Sequence, residues 1–285
     1  MQTIAVIAPG AMGSAVAARL TGHGARVLTS LAGRSATTRA RAQAAGMVHA
    51  EDADLVQAEI ILSIVPPADA TALARRLAPA LAAAARKPVY VDANAVSPET
   101  LRGISGIVAE AGAPFLDGAI LGHPPRPGAV GPRIYVAGPD TAPGLALRDL
   151  GLDVRTCAGG IGAASALKMS YAGLNKGLTA LAALIVLGAE RAGAGEALRA
   201  ELAESEPELL ARFGRGLPDM VPKAHRWVAE MGEIAGFLAP DAAGGQVFAG
   251  AADLYARLSL PEADGEVATL RAFAEAAGRS SRKAS

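Results

Sequence analysis

From Gln2 to about Thr156, hydrophobic positions fall in short runs separated by longer Ala- and Arg-rich stretches. The runs TIAVIA (3–8), ARVLT (25–29), EIILSIV (59–65), PVYVDA (88–93), PFLDGAI (114–120) and RIYVAG (133–138) predict strands. Most are unbroken rather than alternating, the pattern of parallel strands covered on both faces. The stretches between them predict the crossover helices of βαβ units. One helix start is explicit: Ser97-Pro98-Glu99 combines an N-cap, a proline at the first helical position and an early acid. After Cys157 the strand pattern stops. Residues 161–192 predict one long helix, about 48 Å at 1.5 Å per residue, apolar on more than one face. Further helices are predicted over 195–215, 219–238, 241–258 and 264–277. The expected fold is α/β: a doubly wound sheet in residues 1–157, then an all-α domain in 158–285, divided at the CAGG turn. A helix apolar all round needs cover on every side, which predicts a homodimer through the C-terminal helical domain.

Composition narrows the class. Hydrophobic residues make up 51% of the 285, too many for a disordered chain. The apolar LTALAALIVLGA (178–189) is bracketed by Lys176 and Glu190 and reads as a buried or interface helix, not a membrane span. The opening MQTIAVIAPG enters a strand pattern directly, unlike a signal peptide. Lys+Arg and Asp+Glu both number 27, leaving no global field to attract nucleic acid or an anionic membrane. A single cysteine, Cys157, and four scattered histidines offer neither an intrachain disulfide nor a metal site. A cytoplasmic protein with a small-molecule ligand is the class that remains.

The segment IAVIAPGAMGSAVAARL sets a strand, a glycine turn and a helix in direct succession, the context of a Rossmann dinucleotide-binding motif. Gly10 permits close approach of a pyrophosphate, Gly13 permits tight packing of helix on strand, and the N–H groups at Ala11, Met12 and Gly13 face the anion. The first glycine of G-x-G-x-x-G is Ala8 here, so the turn must avoid the left-handed region at that residue. After the second strand an NAD site would place an acid for the ribose 2′-hydroxyl. This chain has TSLAGRSATTR, with no acid between Val27 and Glu51. Ser30, Arg34 and Ser35 suit a 2′-phosphate through a guanidinium fork and hydroxyls. NADP is therefore expected over NAD.

These motifs resemble the β-hydroxyacid dehydrogenase and 6-phosphogluconate dehydrogenase superfamily. APGAMG stands for the family's G-x-G-x-M-G, Arg34-Ser35 for its arginine after strand two, and Val65-Pro66 in SIVPPADA for the pair lying over the cofactor. DANAVSP stands for D-x-S-T-x-x-P, with Asn94 at the serine position; GGIGAASALK is a looser G-x-G-x-x-x-K ending in Lys168. The stretch PKAHRWVAEMGEIA resembles a bacterial branch with its own C-terminal helical domain. Two motifs depart. Where hydroxyacid enzymes carry D-A-P-V-S-G-G to hold a carboxylate, this chain has DGAILGH, with Leu121, Gly122 and His123 in the last three places. Where they carry K-x-x-x-N, it has Ala172. The usual carboxylate clamp is not matched, so the expected substrate either lacks that carboxylate or meets it elsewhere.

The resemblance implies a nicotinamide-dependent oxidoreductase with Lys168 as general acid/base. Its place in the apolar run ALKM favours the neutral amine, able to exchange a proton with an alcohol or alkoxide. Tyr171 and Asn175, at i+3 and i+7, fall on the same helix face and are candidate substrate contacts. Asn94 either bonds cofactor or substrate or simply turns the chain. His123 is either an acid/base or a loop residue, Trp227 is expected in the core, and Glu230 is a candidate contact for a substrate amine or hydroxyl. The expected activity is hydride transfer between NADP and a small hydroxyl or carbonyl compound. Imine reduction is the alternative, which the retained lysine disfavours, and a non-catalytic NADP-binding protein is a third.

Overall fold

The computed structural model describes residues 1–125 and 131–283. They form two compact units, Met1–Met169 and Ser170–Ser285. The first holds an eight-stranded sheet in the order β3-β2-β1-β4-β5-β6-β7-β8. Its strands are β1 (Thr3–Ile7), β2 (Arg26–Thr29), β3 (Met47–His49), β4 (Ile60–Ser63), β5 (Val89–Asp92), β6 (Phe115–Leu121), β7 (Arg133–Ala137) and β8 (Asp153–Thr156). The six expected strands are present. The order of the first six is that of the doubly wound dinucleotide fold, whose topological switch point lies between β1 and β4.

Residue alternation explains why both faces are covered. Ala5 and Ile7 face one core with Leu73, Leu77, Leu101, Ile104 and Val108, contributed by α4 (Pro67–Ala83) and α5 (Pro98–Glu110). Ile4 and Val6 face the other with Val16, Ala17 and Leu20 of α1 (Ala11–Gly22) and Ala42 of α2 (Ala36–Ala44). The predicted start of α5 holds in detail, since Ser97 Oγ accepts the Thr100 N–H at 3.2 Å. Short α3 (Asp52–Leu55) and α6 (Ala142–Leu145) complete the connections.

The sheet corrects the sequence reading in three places. β3 and β8, unpredicted, are edge strands with exposed positions, so their sequences MVH and DVRT lack an apolar run. β7 pairs antiparallel with β6 rather than parallel, because the connection 122–132 is too short for a crossover helix. Finally, the units divide between Met169 and Ser170, later than the 157/158 division expected at the CAGG turn. The cause is α7 (Ala163–Ala172), whose first turn is tied to β6 by hydrogen bonds.

The second unit is helical: α8 (Leu178–Arg191), α9 (Gly195–Ser205), α10 (Pro207–Met220), α11 (Ala224–Leu238), α12 (Ala242–Leu258) and α13 (Asp264–Lys283). The stretch expected as one helix over 195–215 breaks at Glu206-Pro207. Glu206 leaves the helical region, with φ of −139° and ψ of 55°, and Pro207, lacking an N–H, begins the next helix. The helix expected over 219–238 begins later as α11, because α10 runs on to Met220. α10 packs on α13 and α11 on α12, burying Leu217, Met220, Met231, Ile234, Tyr255 and Phe273. The long helix predicted over 161–192 runs from Ala163 to Arg191, long and apolar enough to cross a membrane, though Lys168 and Lys176 lie within it. Its Gly173–Gly177 segment is π-helical. A Cβ at Gly177 would lie 2.9 Å from the Phe248 ring, so only glycine admits that ring.

Candidate functional site

The glycine turn leaves β1 at the switch point, where doubly wound sheets bind ligands. Gly13 must be glycine: a Cβ there would lie 2.0 Å from the Ala8 carbonyl oxygen. Ala8 keeps a negative φ, as expected, for no non-glycine residue among those described has φ above zero. Gly10 is exposed, with open space where a side chain would be. α1 has neither a side-chain cap nor an acid in its first turn. Among the described residues, the N–H groups of its first turn (Ala11, Met12, Gly13) therefore have no side-chain cap, and an anion suits them. Met12 packs its side chain against the core below.

The loop after β2 begins at Ser30, which is buried, and passes through exposed Arg34 and Ser35. Ser35 is engaged by the fold itself, since its Oγ accepts the Thr38 N–H and caps α2. Arg39 folds back so that its Nε donates to the Arg34 carbonyl at 3.0 Å. Arg34 and Arg39 thus lie beside a helix N-terminus whose first turn holds no acid. That combination fits a dianionic phosphate. His49, on the unpredicted β3, accepts the Leu31 N–H at 3.2 Å and braces this loop.

The ends of β4 and β5 are joined by a side chain expected at the cofactor. Asn94 is buried, and its amide is spent inside the fold: Nδ2 donates to Ser63 Oγ and Asp92 Oδ2 at 2.8 and 2.9 Å, while Oδ1 accepts the Val65 N–H at 2.6 Å. It holds the Val65-Pro66 segment from which α4 starts. Pro66 is exposed and Val65 half-buried, so the segment presents an apolar surface beside the glycine turn's strand neighbour β4.

Two acids inside apolar strands went unremarked in the sequence. Ser63, Asp92 and Asp117 are in register across β4, β5 and β6, and all three are fully buried. Burial pushes the Asp92 carboxyl up to about 7, against the lowering effect of its bonds to Asn94, with the Asp117 charge raising it further. Burial also raises Asp117, opposed by hydrogen bonds from Ser165, Gly162 and Ala164. An acid in the midst of a strand run, as in PVYVDA and PFLDGAI, was the available signal.

Lys168 stands on α7, half-buried, and its Nζ donates to the Ile120 carbonyl at 2.6 Å. Leu121, expected in a substrate loop, is instead the last residue of β6, buried and paired with Arg133. Gly122 follows with φ of +121°, and His123 is exposed. In the helical unit, Tyr171 is exposed, but Asn175 is engaged at both ends: Nδ2 donates to the Tyr171 carbonyl at 2.8 Å and Oδ1 accepts from Arg212 at 3.0 Å. The i, i+3, i+7 face assumed a regular 3.6-residue turn, which the π segment at Gly173 interrupts. Glu230 is likewise engaged within the fold, in an ion pair with Lys176. Trp227, expected in the core, is only partly buried; it stands edge-on to Tyr255 at 5.2 Å and covers the Lys176 ammonium.

A dinucleotide-binding protein is the class that this sheet and its uncapped glycine turn define. Residues 3–142 match the NAD binding domain of 6-phosphogluconate dehydrogenase, and residues 189–258 match a domain of unknown function, DUF1932. The chain thus carries an NAD binding domain of the 6-phosphogluconate dehydrogenase type, followed by a DUF1932 domain. Among solved structures, a conserved protein of Sinorhizobium meliloti 1021 is 27% identical, with a TM-score of 0.72 over 96% of this chain and 97% of that one. A conserved protein of unknown function, described as structurally similar to 3-hydroxyacid dehydrogenases, is 28% identical, with a TM-score of 0.67 over 90% and 99%. The 3-hydroxyisobutyrate dehydrogenase of Mycobacterium tuberculosis shares the fold at 21% identity, with a TM-score of 0.69 over 95% and 99%. No curated protein matches the sequence.

Proposed function

We propose that the protein is a soluble, cytoplasmic, NADP-dependent dehydrogenase or reductase acting on a small hydroxyl or carbonyl compound, with Lys168 as its proton donor and acceptor. The observation that carries this reading is the placement of Lys168: a half-buried amine aimed at the Ile120 carbonyl, on a helix fastened to the sheet by Asp117. The α1 N-terminus and Gly10–Gly13 would hold the pyrophosphate, Arg34 and Arg39 a 2′-phosphate, and Val65-Pro66 would cover the nicotinamide side. When bound, NADP supplies the hydride chemistry. The chain's own contribution is orientation and the proton. In reduction, the Lys168 ammonium gives a proton from Nζ to the substrate oxygen as negative charge develops there. In oxidation, the neutral amine takes the hydroxyl proton. The Ile120 carbonyl accepts one N–H and so fixes the orientation of the ammonium group.

The substrate belongs to a class other than the usual carboxylate-clamped hydroxyacids, since Leu121 is a buried strand residue and Ala172 occupies the place of an asparagine. Leu174, Leu181, Leu184 and Ile185 stay exposed on the long helix, which supports the homodimer through the helical domain.

NADPH fluorescence titration against a panel of 3-hydroxyacids, aldehydes and cyclic imines, with Lys168→Ala as the companion variant, tests the reading. Micromolar NADPH binding is expected, with turnover lost in Lys168→Ala and cofactor affinity kept. Undiminished turnover in that variant would overturn the proton-transfer role. Turnover of the imines alone would replace alcohol–carbonyl chemistry with imine reduction.

A further inference from the structure

A helix leaves its first N–H groups without intrahelical partners, and proteins usually satisfy them with a nearby side chain. In this chain Ser35 caps α2, Ser97 caps α5 and Asp241 caps α12, each from the residue just before its own helix. α7 is capped otherwise. The Asp117 carboxylate, from the middle of β6, accepts the N–H of Gly162 at 2.9 Å, of Ala164 at 2.8 Å and of Ser165 at 3.1 Å, together with the Ser165 hydroxyl at 2.8 Å. A local cap ends a helix; this one also fixes the helix to a particular strand.

The second tie between the same two elements is Lys168 itself. Ile120 lies three residues beyond Asp117 on β6, and Lys168 three residues beyond Ser165 on α7. Asp117–Ser165 and Ile120–Lys168 therefore form a ladder with two rungs, the first fully buried and the second half-open. The lower rung determines where the upper one stands.

We propose that Asp117 is the positioning residue for Lys168: its carboxylate anchors the first turn of α7 to β6 and thereby holds the Lys168 amine at the Ile120 carbonyl. This rests on the reading of Lys168 as the proton-transferring group. Asp117 is fully buried, so it acts through the helix and not by touching substrate. Misplacing a reacting group by about 1 Å can cost about a hundredfold in rate, which sets the scale of the effect.

The test compares wild type, Asp117→Asn and Ser165→Ala in the full-length protein. Asp117→Asn turns an amide N–H toward the helix donors. Ser165→Ala removes only the hydroxyl bond and serves if the first variant does not fold. Three quantities are read: NADPH affinity, the kcat and KM of the best substrate, and the titration of Lys168 followed by NMR after reductive ¹³C-methylation, assigned with Lys168→Arg. The expected result is NADPH affinity within about twofold of wild type and kcat lower by about tenfold or more in Asp117→Asn. KM should change little, the pH–rate profile should be displaced, and the Lys168 titration should move in the same variant. Ser165→Ala is expected to show the same pattern more weakly. An unmoved Lys168 titration and unchanged kcat in a folded variant would overturn the proposal. The NMR signal separates this from failure of the parent reading: if Lys168→Ala keeps turnover, the titration still reports whether Asp117 places the amine.

Discussion

The side-chain oxygen of Asn94 accepts the backbone N–H of Val65 at 2.6 Å, binding the ends of β5 and β4 together at the mouth of the dinucleotide crevice. The same amide donates to Asp92, a buried carboxyl that stands in register beside Asp117. The Val65-Pro66 segment is thus supported from below by a buried polar cluster.

That cluster gives the fold a pH dependence of definite sign. Asp92 is raised to about 7 in the folded protein, above its ordinary value of 3.8. Between those two values the folded state binds more protons than the unfolded one, so stability falls as pH rises, by up to about 1.4 kcal/mol per pH unit. Asp117 contributes with the same sign. Asp92→Asn, which is neutral at every pH, is expected to flatten this slope and to gain on wild type from pH 5 to pH 8. Urea unfolding at the two pH values checks it; an unchanged slope would show that Asp92 is ionised in the fold throughout.

Gly13→Ala is expected to disable the dinucleotide turn. The added methyl would overlap the Ala8 carbonyl oxygen, a backbone atom that cannot swing aside. The cost belongs at or above the upper end of overpacking penalties, about 3 kcal/mol. A lower melting temperature and loss of NADPH fluorescence enhancement would appear together, whereas Gly10→Ala, in open space, should retain most of the stability.

Arg34→Ala addresses the choice of cofactor. Charge-assisted hydrogen bonds contribute about 1.5–3 kcal/mol, so NADPH should bind roughly ten- to a hundredfold more weakly while NADH changes little. Parallel titrations with the two cofactors measure it. Equal losses for both would assign Arg34 to a part of the dinucleotide other than the 2′-phosphate.

The helical unit carries its own test. Lys176 and Glu230 form a largely buried ion pair under Trp227, and burial lowers the Lys176 amine while the Glu230 charge raises it. Removing one partner from such a pair costs about 3–5 kcal/mol, whereas replacing both with apolar residues is often neutral. Glu230→Ala should therefore destabilise strongly and Lys176→Met/Glu230→Leu hardly at all. Trp227 is the only tryptophan in the chain, so its fluorescence follows this unit during denaturation.

Much of the site could be seen in the linear pattern because it depends on local constraints. A glycine turn between strand and helix, a loop without acids after β2 and a lysine in an apolar helix each involve neighbours in the chain. What the pattern could not show involves partners far apart. Asn94 looked like a ligand contact, yet Ser63 and Val65, some thirty positions earlier, consume its amide. Asn175 and Glu230 were likewise spent on Arg212 and Lys176. The edge strands β3 and β8 escaped notice because an edge needs no continuous apolar run.

The sequence by itself determined the doubly wound sheet, the helical second unit and the glycine turn, since strand burial, helix periodicity and backbone freedom are written in consecutive residues. Only the tertiary structure decided that Asp117 reaches from β6 to the first turn of α7, because that bond joins residues 45 or more positions apart. A buried carboxylate must find donors wherever the fold brings them, and here the fold brought the helix that carries Lys168.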